Sequence, residues 1–139
     1  MRVVLDTNVV VSALLFSGPP RALLRRLCNR PFELWTSRSL LRELAGTLAH
    51  RKLRSVVGRT GMSVALLVQA YAQQTLVVSD AVLPEVVFTP DPGDADVIAA
   101  ARAARARWLV TGDRHLLDHR EEAGCEVLAL TEALRLCED

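Results

Sequence analysis

Four acidic residues, Asp6, Glu43, Asp94 and Asp113, lie far apart along the chain, yet each stands where a strand or helix would deliver it to one place. Carboxylates gathered at neutral pH repel one another and push some of their pKa values upward, a conflict that a divalent cation resolves. The chemistry expected of such a set is therefore metal-assisted. Magnesium and manganese take oxygen ligands, and magnesium keeps several of its waters, which suits a few carboxylates acting together on a phosphate ester. The chain has no G-x-S-x-G element, Walker loop or G-x-G-x-x-G run, so serine hydrolysis and nucleotide binding have no support.

Each acid also has a plainer reading. Asp6, at a strand-to-helix junction, and Asp94, in a first helical turn, are in capping positions. Asp113 belongs to a glycine-containing turn, and Glu43 borders a leucine stripe where a solvated glutamate is ordinary. Asp94 and Asp96 compete for one role. On a helical wheel Asp94 shares a face with Ile98 and Ala101 while Asp96 points more nearly away, so Asp94 is the expected ligand and Asp96 a possible accessory acid. Thr7, Asn8 and Thr111 offer polar groups able to orient carboxylates and metal-bound waters.

The elements that must position these residues alternate. Val3 to Leu5 reads as a buried strand ending at Asp6, followed by a helix from Val9 to Phe16 that Ser17 to Pro20 interrupts. A helix over Arg21 to Asn29, a strand over Glu33 to Thr36, and a helix carrying Leu40, Leu44 and Leu48 come next, with Ser37 or Ser39 as its cap. Arg51 to Arg59 reads as a basic connector, Met62 to Ala72 as a helix and Gln74 to Val78 as a strand. Pro84, Pro90, Pro92 and Gly93 mark an irregular passage. An alanine-rich helix from Asp94 to Ala106, a strand from Trp108 to Val110, a turn through Asp113, a strand from Glu126 to Ala129 and a helix from Thr131 to Cys137 complete the reading. Strands separated by helices imply βαβ units, hence an α/β protein with a mainly parallel sheet covered on both faces. Ligands of such sheets gather outside the carboxyl ends of the strands, the edge to which Asp6 and Asp113 both point.

The chain of 139 residues fits one domain spanning residues 1–139, with half its residues hydrophobic and a net charge of +1. Lys52 is the sole lysine; a coding bias toward Ala and Arg accounts for most of the arginines. Three cysteines, Cys28, Cys125 and Cys137, form no C-x-x-C pair and suit a reducing cytoplasm. Asp6 interrupts the apolar start, no run approaches the roughly 18 apolar residues of a membrane span, and neither an export signal nor a membrane partner is expected.

The motifs V-V-L-D-T-N (Val3 to Asn8) and T-G-D-R-H-L-L (Thr111 to Leu117), with Glu43 and Asp94 between them in the right order, resemble the PIN-domain family, and in particular its small bacterial VapC-like toxins. The resemblance covers nearly the whole chain. It implies a three-layer α/β/α sandwich around about five strands and a Mg2+- or Mn2+-dependent endoribonuclease. Asp6, Glu43 and Asp94 would be the core ligands, Asp113 a fourth and more variable acid, and Thr7, Asn8 and Thr111 supporting residues. The expected reaction is hydrolysis of an RNA phosphodiester by a metal-activated water, leaving a 5′-phosphate and a 3′-hydroxyl. A small protein antitoxin and a homodimer are the implied partners. The alternative is a catalytically inactive PIN-like module that binds RNA or a partner.

Arg51, Lys52 and Arg54 form the densest basic cluster and the first candidates for phosphate contacts, with Arg21, Arg25 and Arg26 a second group. His115 and His119 have an i, i+4 spacing that could suggest zinc, but without the glutamate of H-E-x-x-H or a third ligand they read as surface histidines.

Overall fold

The computed structural model describes residues 1–79 and 94–138. The expected passage of prolines from Pro84 to Pro92, with Gly93, lies outside the described residues.

Five short strands, β1 (Arg2–Leu5), β2 (Glu33–Thr36), β3 (Thr75–Val77), β4 (Trp108–Val110) and β5 (Glu126–Leu128), form one parallel sheet in the order β3-β2-β1-β4-β5. The side-chain period of two divides them between two cores. Val3 and Leu5 of β1, Trp108 and Val110 of β4, and Leu128 of β5 face one side, whereas Val4, Leu109 and Val127 face the other. Burying a side chain such as the fully enclosed Leu109 contributes about 1.5–3 kcal/mol.

On the first side lie α1 (Thr7–Leu15), α2 (Pro19–Leu27), α5 (Val64–Gln73) and α8 (Leu130–Glu138); on the second lie α6 (Ala95–Ala104) and α7 (Arg114–Asp118). This is the expected α/β/α sandwich. Helix α3 (Arg38–Leu48) bridges the layers at one end of the sheet, with Leu44 and Leu48 in the first core and Leu40 in the second. Ser37 caps it, accepting the Leu40 N–H at 3.1 Å. Helix α6 packs closely because its buried face is largely alanine, Ala100, Ala101 and Ala104. It ends where Arg105 turns left-handed at φ 53°, and the Arg2 guanidinium donates to the Ala104 carbonyl at 2.9 Å.

The stretch from Arg51 to Arg59 departs from the expected connector. It forms a 3-10 turn (Arg51–Leu53) and a short helix, α4 (Arg54–Arg59). His50 caps the turn through its imidazole, and Leu53, Val56 and Val57, at i, i+3 and i+4, dock on the first core. The basic residues had masked that apolar stripe. Helix α1 likewise begins two residues earlier than its apolar pattern indicates, because Asp6 caps it directly.

From central β1 the chain builds outward through β2 to β3, then returns to lay β4 and β5 on the opposite flank. The order therefore reverses between β1 and β4. Their carboxyl ends form the crevice where open α/β sheets take ligands.

Candidate metal centre

Asp6 leaves β1 at the floor of that crevice. Its backbone N–H donates to the Val110 carbonyl at 2.9 Å, extending the β1–β4 ladder by one bond and setting Asp6 beside Thr111. One carboxylate oxygen accepts the Thr7 N–H at 2.8 Å, and the other accepts the Thr111 hydroxyl at 2.6 Å. Capping and the candidate metal role thus share one side chain. Burial drives the Asp6 pKa above its ordinary value; the bonds from Thr111 and Thr7 oppose the rise, and the charge of Asp113 adds to it.

Thr111 is wholly buried and reaches in two directions. Its hydroxyl also accepts the Asp113 N–H at 3.0 Å, so one side chain fixes both Asp6 and the turn that carries Asp113. Asp113 then caps α7, accepting the His115 N–H at 2.8 Å.

Glu43 leans in from the exposed side of α3. Partial burial raises its pKa most, and the charges of Asp6 and then Asp96 add to the effect, so it stands within electrostatic reach of both. The Thr7 hydroxyl lies near enough to favour the ionised Glu43 without closing a hydrogen bond; it is buried and has no hydrogen-bond partner among the described residues.

Asp94 precedes α6, and its residue is only 2 % exposed. Its side chain does not cap the helix, so the capping explanation does not account for it. Asp96, in the first turn of α6, is exposed. The facing inferred from the helical wheel matches this split. Asp94 Oδ2 lies 3.8 Å from His115 Nε2, and the His115 ring stacks on His119 with centroids 4.5 Å apart.

Among the described residues, no three carboxylate, imidazole or thiol groups are drawn to the spacing of a closed chelate. What is assembled is an open series of acids coupled through space: Asp113 with Asp6, Asp6 with Glu43, and Glu43 with Asp96. The donors are hard oxygens, the set that suits Mg2+ or Mn2+.

A model of the PIN domain matches residues 2–115, most of the chain. The chain belongs to the PIN-domain family. Members of this family are in general nucleases, hydrolases of phosphodiester bonds. An uncharacterised protein of the archaeon Methanocaldococcus jannaschii is 29% identical over 125 residues, covering 88% of this chain and 77% of its own. Two solved structures share the fold. VapBC2 from Rickettsia felis, bound to a DNA fragment from its promoter, aligns with a TM-score of 0.64 at 15% identity, over 93% of this PIN domain and 98% of that chain. A PilT N-terminus domain protein of Sulfolobus solfataricus aligns with a TM-score of 0.57 at 13% identity, over 99% and 93% respectively.

Other residues singled out from the sequence fall at varying distances from the crevice of this PIN domain. Asn8 is exposed and lines a small cleft with Ser12, Pro20 and Gly112. Arg51, Lys52 and Arg54 are exposed, and Lys52 shares with Glu43 an open groove along α3 floored by Gly46, Thr47 and Leu53. Arg21 is committed elsewhere: its guanidinium donates to the Ala13 and Leu14 carbonyls at the end of α1. Arg26 bonds the Arg30 carbonyl and lies over the Phe32 ring.

His115 is the residue that reading the motif missed. It is no surface histidine, since its side chain is only 24% exposed and its Nε2 faces Asp94. A signal was available: with Asp113 as helix cap, residue 115 falls in the first turn of α7, beside the acid that caps it. No helix among the described residues is long and apolar enough to cross a membrane.

Proposed function

We propose that this PIN domain is a Mg2+- or Mn2+-dependent endoribonuclease of the VapC-like toxin type, with Asp6, Glu43, Asp94 and Asp113 as metal ligands and Asp96 as an accessory acid. The observation that carries the reading is Asp6 itself. Its carboxylate is held on both oxygens at the β1–β4 crevice, yet burial and Asp113 keep it harder to ionise than an ordinary aspartate. A carboxylate so fixed and so poorly solvated has much to gain from a cation. The buried Thr7 hydroxyl, between Asp6 and Glu43, offers a further oxygen to a metal-bound water.

Bound at these acids, the ion would polarise the phosphate and supply hydroxide near neutral pH. The protein's part is positional. Thr111 holds Asp6 and the Asp113 turn together, Ser37 fixes the start of the helix bearing Glu43, and Asp94 would join them from the start of α6. Thr7 and Thr111 orient the acids, with Asn8 as a further supporting residue. Lys52 lines the groove beyond Glu43, and with its exposed neighbours Arg51 and Arg54 would guide an RNA strand through its phosphates. Family membership and the fold shared with VapBC2 favour a small protein antitoxin as partner; a homodimer and a cytoplasmic setting belong to the same proposal.

The test is RNA cleavage by purified protein with Mg2+ or Mn2+. Activity should disappear in chelator and in Asp6→Asn, with the circular dichroism spectrum of that variant unchanged. Cleavage that persists without metal, or full activity in Asp6→Asn, refutes the mechanism. RNA binding without cleavage in the unmodified protein would instead support the inactive-module reading.

A further inference from the structure

We propose that His115 is a positioning residue for the metal centre: its imidazole Nε2 holds Oδ2 of Asp94, leaving the other carboxylate oxygen of Asp94 to face the ion. This rests on the reading of Asp94 as a ligand. The ring lies against His119 at 4.5 Å between centroids with 25° between planes. The backbone that carries it is held on both sides: the His115 main-chain N–H donates to the Asp113 carboxylate at 2.8 Å, and the His115 carbonyl lies 3.0 Å from His119 Nδ1. Nε2 faces Asp94 Oδ2 at 3.8 Å, longer than a hydrogen bond, and the two would close to hydrogen-bond length when the ion is bound.

The arrangement links two acids that the chain supplies separately. Asp113 caps the turn that begins α7, the turn carries His115, and His115 meets Asp94 at the start of α6. The Asp94 carboxylate does not cap its own helix, and it is toward His115 that its Oδ2 is turned. Groups that orient a metal ligand typically change metal affinity about 10–100-fold when removed.

The experiment is Mn2+ titration, followed by the electron paramagnetic resonance signal of free Mn2+, on the unmodified protein and on His115→Phe, His115→Ala, His115→Gln and Asp94→Asn. His115→Phe fills the space without a donor, and His115→Ala serves if the larger ring disturbs folding. Glutamine restores an N–H near the position of Nε2. The Mn2+ dissociation constant should rise about 10–100-fold in the Phe and Ala variants and return most of the way in the Gln variant. Unchanged binding in the Phe and Ala variants, with Asp94→Asn weakened, overturns the role of His115 alone. A Gln variant as weak as Ala also overturns it, because a donor would not be what matters. Unchanged binding in Asp94→Asn removes the underlying assignment of Asp94, and this proposal with it.

Discussion

Replacing Thr111 by valine nearly preserves the shape of a wholly buried side chain while removing the hydroxyl that bonds Asp6 and the Asp113 N–H. A hydrogen bond to a charged group contributes about 1.5–3 kcal/mol and a neutral one about 1 kcal/mol. Burying a methyl group in place of the hydroxyl offsets about 0.8 kcal/mol. The net loss expected for metal-free protein at pH 7 is about 2–3 kcal/mol, which at a urea slope of about 1–3 kcal/mol/M moves the midpoint down by roughly 0.7–3 M. Thr111→Ser keeps the hydroxyl and loses one methyl, so it should cost only about 1 kcal/mol. The pH dependence has a definite sign. The Thr111 hydroxyl favours ionised Asp6, and its loss raises the folded-state pKa further; the valine deficit is therefore full above that raised value and shrinks as pH falls below it. Urea titrations of the three proteins at several pH values provide the assay. A valine variant as stable as the serine variant would refute the bridging role assigned to Thr111.

The raised pKa values of Asp6 and Glu43 predict that the metal-free fold loses stability as pH rises from the ordinary carboxylate range through their folded values, since the folded state binds more protons there. Measured as the difference in urea midpoint between the unmodified protein and Asp6→Asn, the Asp6 share should fall with pH and recover on adding Mn2+; a flat difference contradicts it. Changing Arg51, Lys52 and Arg54 together to alanine should lower the slope of log affinity against log salt for single-stranded RNA by about 2, at about 0.7 for each phosphate that is no longer neutralised. Fluorescence anisotropy in the Asp6→Asn background measures this without cleavage, and an unchanged slope places the RNA path elsewhere.

The sheet was legible because its strands are short apolar runs bounded by strong punctuation, and a parallel sheet buried on both faces requires such runs. Asp6 and Asp113 were legible for the same reason, each following a strand at the edge where ligands gather. Asp94 could be separated from Asp96 by helical phase alone, and their burial follows that phase. Helix α4 was hidden because arginines dominate its sequence, while only Leu53, Val56 and Val57 make tertiary contacts. His115 was hidden for a different reason. Its neighbour Asp94 lies 21 positions earlier, and no periodicity within the T-G-D-R-H segment reports a contact made with another helix.

The bond from Asp6 to the Val110 carbonyl, and that from Thr111 to Asp6, each close a loop of more than 100 residues. Contacts of such sequence separation form late, because the entropy of closing the loop is lost before the contact returns anything. The first half of the chain, β1 to β3 with its helices, carries Asp6 and Glu43 but lacks the strand that fixes Asp6. During synthesis the crevice therefore cannot take its final form until residues past Asp113 have left the ribosome and β4 has slotted beside β1. The order of strands acts as a timer, and an RNA-cutting centre built on it would remain incomplete until β4 has been made.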